Sequence, residues 1–217
     1  MVKSKQRIRD HGEVYTPEWL VNDMLDLVKD ETERIDSRFL EPACGDGNFL
    51  SEILRRKLTV VDARYSKVQI EYERYAVLAV TSIYGIDILE DNVQECRERL
   101  FQVFEQHYRS RFGEKCKPAC LNAVRTILAL NIIHGDALSL TKLDGTPITF
   151  AEWSAVNGSL LKRRDFTFKG LLEHSDMAAM PLFSDLGEDI FLPEPSKDYP
   201  LIDFLSLSGT CLEEGPR

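Results

Sequence analysis

The sequence predicts an α/β fold in which helices cover both faces of an incomplete parallel sheet, and three observations predict it. Short buried-strand patterns recur near residues 39–41, 82–88 and 131–137, and stretches of helical periodicity separate them. Each strand pattern also runs into an acidic residue: Glu41, Asp87 and Asp136. Right-handed crossovers place such strands in one sheet, and ligands of these sheets sit outside the carboxyl ends of the strands. A single aspartate at a strand end is commonly just a helix cap, so the repetition carries the signal.

Taken in order, the chain begins with a small basic arm, Lys3, Lys5, Arg7 and Arg9. Thr16 as N-cap and Pro17 at the first helical position then predict a helix with Leu20, Val21, Met24, Leu25, Leu27 and Val28 as its apolar face. Residues 39–50 read as strand, turn and helix, with small residues at the turn and Phe49, Leu50, Ile53 and Leu54 at helical spacing after it. Small residues there let the backbone approach a ligand, and the helix offers free N–H groups. Helices are expected past Leu58, over residues 70–81, 90–111 and 121–130. Beyond Leu138 the pattern degrades. Asp144-Gly145 and Asn157-Gly158 read as turns, and residues 147–153 as a short strand or the start of a helix. The division expected is therefore residues 1–140 as one domain and 141–217 as an irregular extension, its apolar tail suited to docking on a partner.

Composition bounds the function. At 217 residues and 43% hydrophobic the chain can bury a core, and no apolar run approaches a membrane span, so a cytoplasmic protein is expected with no membrane partner. The net charge of −9 argues against nucleic-acid binding by overall charge alone, which leaves the basic arm and Lys162-Arg163-Arg164 as local candidates. Five cysteines without framework spacing suit a reducing compartment. Cys116 and Cys120, with His107 and His134 at a distance, lack a second pair at zinc-like spacing, and no metal is expected.

Four segments carry a resemblance. Tyr15-Thr16-Pro17, Glu41-Pro42-Ala43-Cys44-Gly45-Asp46-Gly47-Asn48-Phe49-Leu50, Tyr84-Gly85-Ile86-Asp87 and Gly135-Asp136-Ala137 resemble, in order, the cofactor motifs of amino-group DNA adenine methyltransferases of restriction–modification systems. The resemblance spans residues 9–140. It implies a Rossmann-like fold and an S-adenosylmethionine site built from Tyr15, Thr16, Pro17, Glu41, Ala43, Cys44, Gly45, Gly47, Asn48, Phe49, Asp87, Ile88, Asp136 and Ala137. Within that site, Thr16, Pro17 and Glu41 would hold the methionine end and Asp87 both ribose hydroxyls. Ile88 would lie on the adenine ring and Asp136 on its amine, with Phe49 or Ile86 lining the pocket.

The family also carries an Asn/Asp/Ser-Pro-Pro-aromatic motif that grips a flipped-out adenine. None of the nine prolines here is next to another. Asn157 and Trp153 are the substitute catalytic candidates, for hydrogen bonding and stacking. Too few residues follow the third strand to complete the family's sheet, which leaves the first strand with an open edge. The C-terminal part, a second copy or a partner subunit is expected to cover it. The implied function is DNA adenine methylation as a modification subunit; the alternative is an inactive cofactor-binding or regulatory subunit that needs a partner chain.

Overall fold

Helix α1 (Glu18–Asp26) opens the part of the chain that the computed structural model describes, residues 16–178 and 194–207. Pro17, not Thr16, is its N-cap: the Pro17 carbonyl accepts the amides of Leu20 and Val21, both at 3.0 Å. The helix is shorter than its apolar pattern. Val21 and Leu25 are buried, whereas Leu27 and Val28 lie beyond its end and are exposed. A short helix, α2 (Lys29–Thr32), follows.

Strands β1 (Phe39–Glu41), β2 (Ile83–Asp87) and β3 (Ile132–His134) form a parallel sheet in the order β1-β2-β3, with Phe39 opposite Ile83 and Gly85 opposite Ile132. Two helices, α3 (Asn48–Tyr65) and α4 (Gln69–Thr81), join β1 to β2. Another two, α5 (Glu90–Phe112) and α6 (Pro118–Asn131), join β2 to β3. Strand alternation divides the core. Ile83 and Ile132 join Leu50, Leu54, Val93 and Leu100 in the large helical core, while Tyr84, Ile86 and Ile133 turn the other way. No helix among the described residues is long and apolar enough to cross a membrane.

That second face departs from expectation. Ile148 and Phe150 cover it together with Phe168 and Leu171, so an antiparallel hairpin and the first turn of one helix stand where a helical layer was expected. The hairpin is β4 (Thr149–Ala155) against β5 (Leu160–Thr167), paired from Thr149 opposite Thr167 to Ala155 opposite Leu161, and α7 (Phe168–Ala178) follows. Residues 149–167 are therefore regular, not an irregular extension. The turn at Asn157-Gly158 was legible, with Gly158 at φ +67. Short strands β6 (Lys197–Asp198) and β7 (Ile202–Asp203) pair with β5, and Phe204 is buried in the main core. Residues 197–207 thus dock on the chain's own hairpin; residues 179–193 and 208–217 of the expected extension lie outside the described residues.

Polar groups tie the layers together. Asn131 donates to the carbonyls of Thr81 (3.3 Å) and Ile83 (3.1 Å) and accepts from the Trp153 indole at 3.2 Å, joining both helix pairs to the hairpin. Lys57 is fully buried behind β1, and its ammonium donates to Ile35 O (3.2 Å), Ser82 Oγ (2.7 Å) and Ser37 O. Burial pushes its pKa down to about 7.

Candidate functional site

The turn after β1 is shaped by two close approaches. Gly47 caps α3 in the left-handed region at φ +87, and a Cβ there would stand 2.7 Å from Cys96 Sγ. Gly85 lets the turn lie over β2, because a Cβ on it would sit 3.0 Å from both Cys44 Sγ and Leu50 Cδ1. The Cys44 amide donates to Ile86 O at 2.9 Å, which fastens the turn to β2. From α5, Arg99 reaches Asp46 Oδ2 at 2.5 Å and also Asn48 Oδ1, while Asn48 Nδ2 donates to Thr16 O at 3.4 Å. One guanidinium thus holds the turn, and the turn holds the residue leading into α1.

These contacts leave a cavity of 620 Å³ at the carboxyl ends of the three strands. Of the residues that the resemblance implies, Thr16, Glu41, Ala43, Cys44, Gly45, Asn48, Phe49, Asp87, Ile88, Asp136 and Ala137 line it. Pro17 and Gly47 do not line it, and Tyr15 lies outside the described residues. Ile86 is on the opposite face of the sheet, in the cluster with Phe150, because it is one residue out of phase with Asp87. Ile88 and Leu138 leave apolar surface exposed at the rim, 47% and 95% accessible.

The acids differ in what they can still accept. Asp87 is nearly buried; its Oδ1 accepts the Leu89 amide (2.8 Å) and Asn92 Nδ2 (3.3 Å), and its Oδ2 accepts the Gly45 amide (2.9 Å). A carboxylate oxygen offers about two lone-pair sites. Among the described residues Oδ1 is therefore filled and Oδ2 keeps one position, so Asp87 is not the doubly free diol acceptor that its type suggests. Asp136 closes a turn by accepting the Leu138 amide at 2.9 Å, and this hydrogen bond holds its pKa below the usual value. Desolvation pushes the Glu41 pKa up against the pull of the Ala43 amide. Cys44 is hydrogen-bonded to Cys96 and buried, which raises its pKa and makes it a neutral wall rather than a nucleophile.

Asn92 and Arg99 went unrecognised in the sequence. Asn92 lies five residues past Asp87 in the first turn of α5, where a search for partners of a strand-end acid would look. Arg99 had no local signal, since its partners are about fifty residues away in the chain. The substitute catalytic pair is not brought to the cavity. Trp153 is buried with its indole N–H spent on Asn131, and Asn157 is in the hairpin turn. Each member of the basic cluster is engaged in an ion pair: Lys162 with Asp198, Arg163 with Asp165 and Arg164 with Glu152. Among the described residues no three His, Cys, Asp or Glu side chains gather as metal ligands.

Compared with known proteins, the chain matches no family model, no curated protein and no solved structure at a significant level.

Proposed function

We propose that the cavity binds S-adenosylmethionine and that the chain is the methyl-donor-binding part of a DNA adenine methyltransferase of the restriction–modification type, with a Rossmann-like cofactor domain. The observation that carries the reading is the convergence of the glycine turn with Glu41, Asp87 and Asp136 around one cavity. Its volume falls within the range of about 300–1,000 Å³ common for small-molecule sites. Acid-lined walls favour a ligand with cationic centres, such as an ammonium and a sulfonium, over a phosphate.

The residues fit such a ligand. The remaining acceptor position on Asp87 Oδ2 takes one ribose hydroxyl, and the exposed side chains of Ile88 and Leu138 flank a flat ring. Asp136 accepts from an exocyclic amine. Thr16 and Glu41 lie where the amino-acid end is held, beside the first turn of α3, whose amides have no acceptor within the helix. S-adenosylmethionine supplies the methyl group; what these residues supply is its grip and orientation. The second reading is a cofactor-binding or regulatory subunit whose acceptor site belongs to a partner chain. The commitment of Trp153 and Asn131 to each other within the core favours it.

Calorimetric titration with S-adenosylmethionine tests the shared premise, and absence of binding removes both readings. Transfer of labelled methyl groups to unmethylated DNA, with and without the products of neighbouring genes, separates them. Transfer by the purified chain alone excludes the subunit reading.

A further inference from the structure

Strand β1 is at the end of its sheet and, among the described residues, pairs only with β2. The Phe39 amide donates to Ser82 O at 2.9 Å, so Phe39 and Glu41 carry the ladder to β2. In a parallel pair the residue between them presents its N–H and C=O to the opposite side. Leu40 is that residue, and its side chain is 41% accessible. Its N–H and C=O, unpaired among the described residues, offer a short template for another strand.

Beside this edge runs a groove of 360 Å³ whose apolar wall includes Leu40, Phe150, Phe166 and Leu171. Its floor is rigid. Phe150 packs edge-on against Tyr84 and Phe168, with ring centroids at 5.5 and 5.6 Å, and the Tyr84 hydroxyl donates to Ala151 O at 3.0 Å. Glu152 also lines the groove, and two guanidiniums share its one carboxylate: Arg164 at 3.1 Å on Oε2 and Arg38 on Oε1. These two guanidiniums and one carboxylate together carry one net positive charge. Arg38, in the residue just before β1, is more than half exposed and has a single hydrogen bond to Glu152 among the described residues.

We propose that the open edge of β1 and this groove receive an extended segment of a partner protein. The segment adds as a strand beside β1 and pairs with the backbone of Leu40. It lays alternate apolar side chains against Phe150, Phe166 and Leu171 and brings a carboxylate to Arg38. The backbone edge, the apolar slot and the net-positive arginine pair are three separate features that a strand of this composition satisfies together. A small aromatic molecule would use the slot and leave the edge unpaired. The proposal stands apart from the cofactor reading, since the groove and the acid-lined cavity share no lining residue.

The test selects short random peptides on the full chain, then measures binding of the enriched peptides and hydrogen exchange at the Leu40 amide. Enriched peptides should alternate apolar residues, carry an acid, and slow that exchange about tenfold or more. Leu40→Pro removes the outward N–H and leaves the ladder to β2, a change that edge strands tolerate. It should weaken peptide binding at least tenfold more than Leu40→Ala, and Arg38→Gln should erase the preference for acidic peptides. If Leu40→Pro does not fold, the exchange measurement on the unaltered chain decides alone. The proposal is overturned if no peptide is enriched, if binding leaves Leu40 exchange unchanged, or if binding appears only after removal of residues 179–193, which would assign the groove to the chain's own segment. Calorimetry with S-adenosylmethionine on the same preparation reads the cofactor cavity independently.

Discussion

The two hollows of this molecule open on the same three-stranded sheet and are built by opposite means. The cavity at the carboxyl ends is polar and acid-lined, and most of its wall comes from short segments that each follow a strand. The groove beside β1 is apolar and aromatic, and it exists because a hairpin more than a hundred residues later packs across the sheet. The first is held by amides that close on Asp87 and by the reach of Arg99; the second by ring packing and one shared carboxylate. A site made of backbone turns is fastened by hydrogen bonds at the strand ends themselves, independent of the hairpin layer. One made between two layers depends on whatever holds the layers together.

The largest expected effect breaks the second region and spares the first. Trp153→Ala should cost about 3–5 kcal/mol in chemical denaturation, because it empties a buried aromatic site and leaves Asn131 Oδ1 without its donor. Peptide binding in the groove should fail with it. At temperatures where the variant stays folded, affinity for S-adenosylmethionine should change less than about threefold.

The converse variant is Asp87→Asn. Titration should show S-adenosylmethionine binding weakened about 10- to 100-fold, since the amide removes the charge that strengthens hydrogen bonds from hydroxyl and amide donors. Peptide binding at the groove should be unchanged. Equal loss at both sites would show that they are one cooperative unit.

A third variant sharpens what holds the turn. Gly47→Ala places a methyl group against Cys96 Sγ and strains a left-handed residue, so about 1–3 kcal/mol of stability should go, with weaker cofactor binding. Adding Cys96→Ala should restore most of the loss that comes from contact and leave the conformational cost of about 1 kcal/mol.

The smallest effect concerns Lys57, which anchors the lead-in to the strand that both regions share. Its pKa in the folded chain, about 7, is below the unfolded value of about 10.4. Between these values the folded state binds fewer protons than the unfolded one, so this group makes stability rise with pH. Buried Cys44 and Cys120, with raised pKa values, act in the opposite sense: their contribution is complete below about pH 8.5 and is lost above it. The clean readout is therefore a difference. From pH 7 to 8.5 the stability of the unaltered chain relative to Lys57→Met should rise by about 1–2 kcal/mol. A flat difference would show that the three acceptors around the ammonium outweigh its desolvation.

How legible each part was follows from the range of its interactions. Helix α5 was read to within one residue, and β2 to within one residue at each end, because periodicity and punctuation are local. The N-cap of α1 was misplaced by one residue, since Thr16 is a good cap by type but Pro17 already supplies the accepting carbonyl. Asp87 was found, yet its loss of acceptor capacity was not, because the Gly45 amide that occupies Oδ2 is 42 residues away. The hairpin was half-seen. Its turn was marked by Asn157-Gly158, but the burial of Trp153 depends on Asn131, whose position depends in turn on Thr81 and Ile83.

By itself the sequence determined the alternation of strand and helix, the three acids at the strand ends and the glycine turn, and thereby where a cavity opens. Those features follow from patterns a few residues long, which the chain satisfies before it packs. Tertiary structure alone decided which face of the sheet the hairpin covers and, among the described residues, which lone pair Asp87 keeps and that β1 keeps an open edge beside an apolar groove. The reason is physical: burial and hydrogen-bond partnership are shared between residues far apart in the chain, and no local pattern records the other half of a contact.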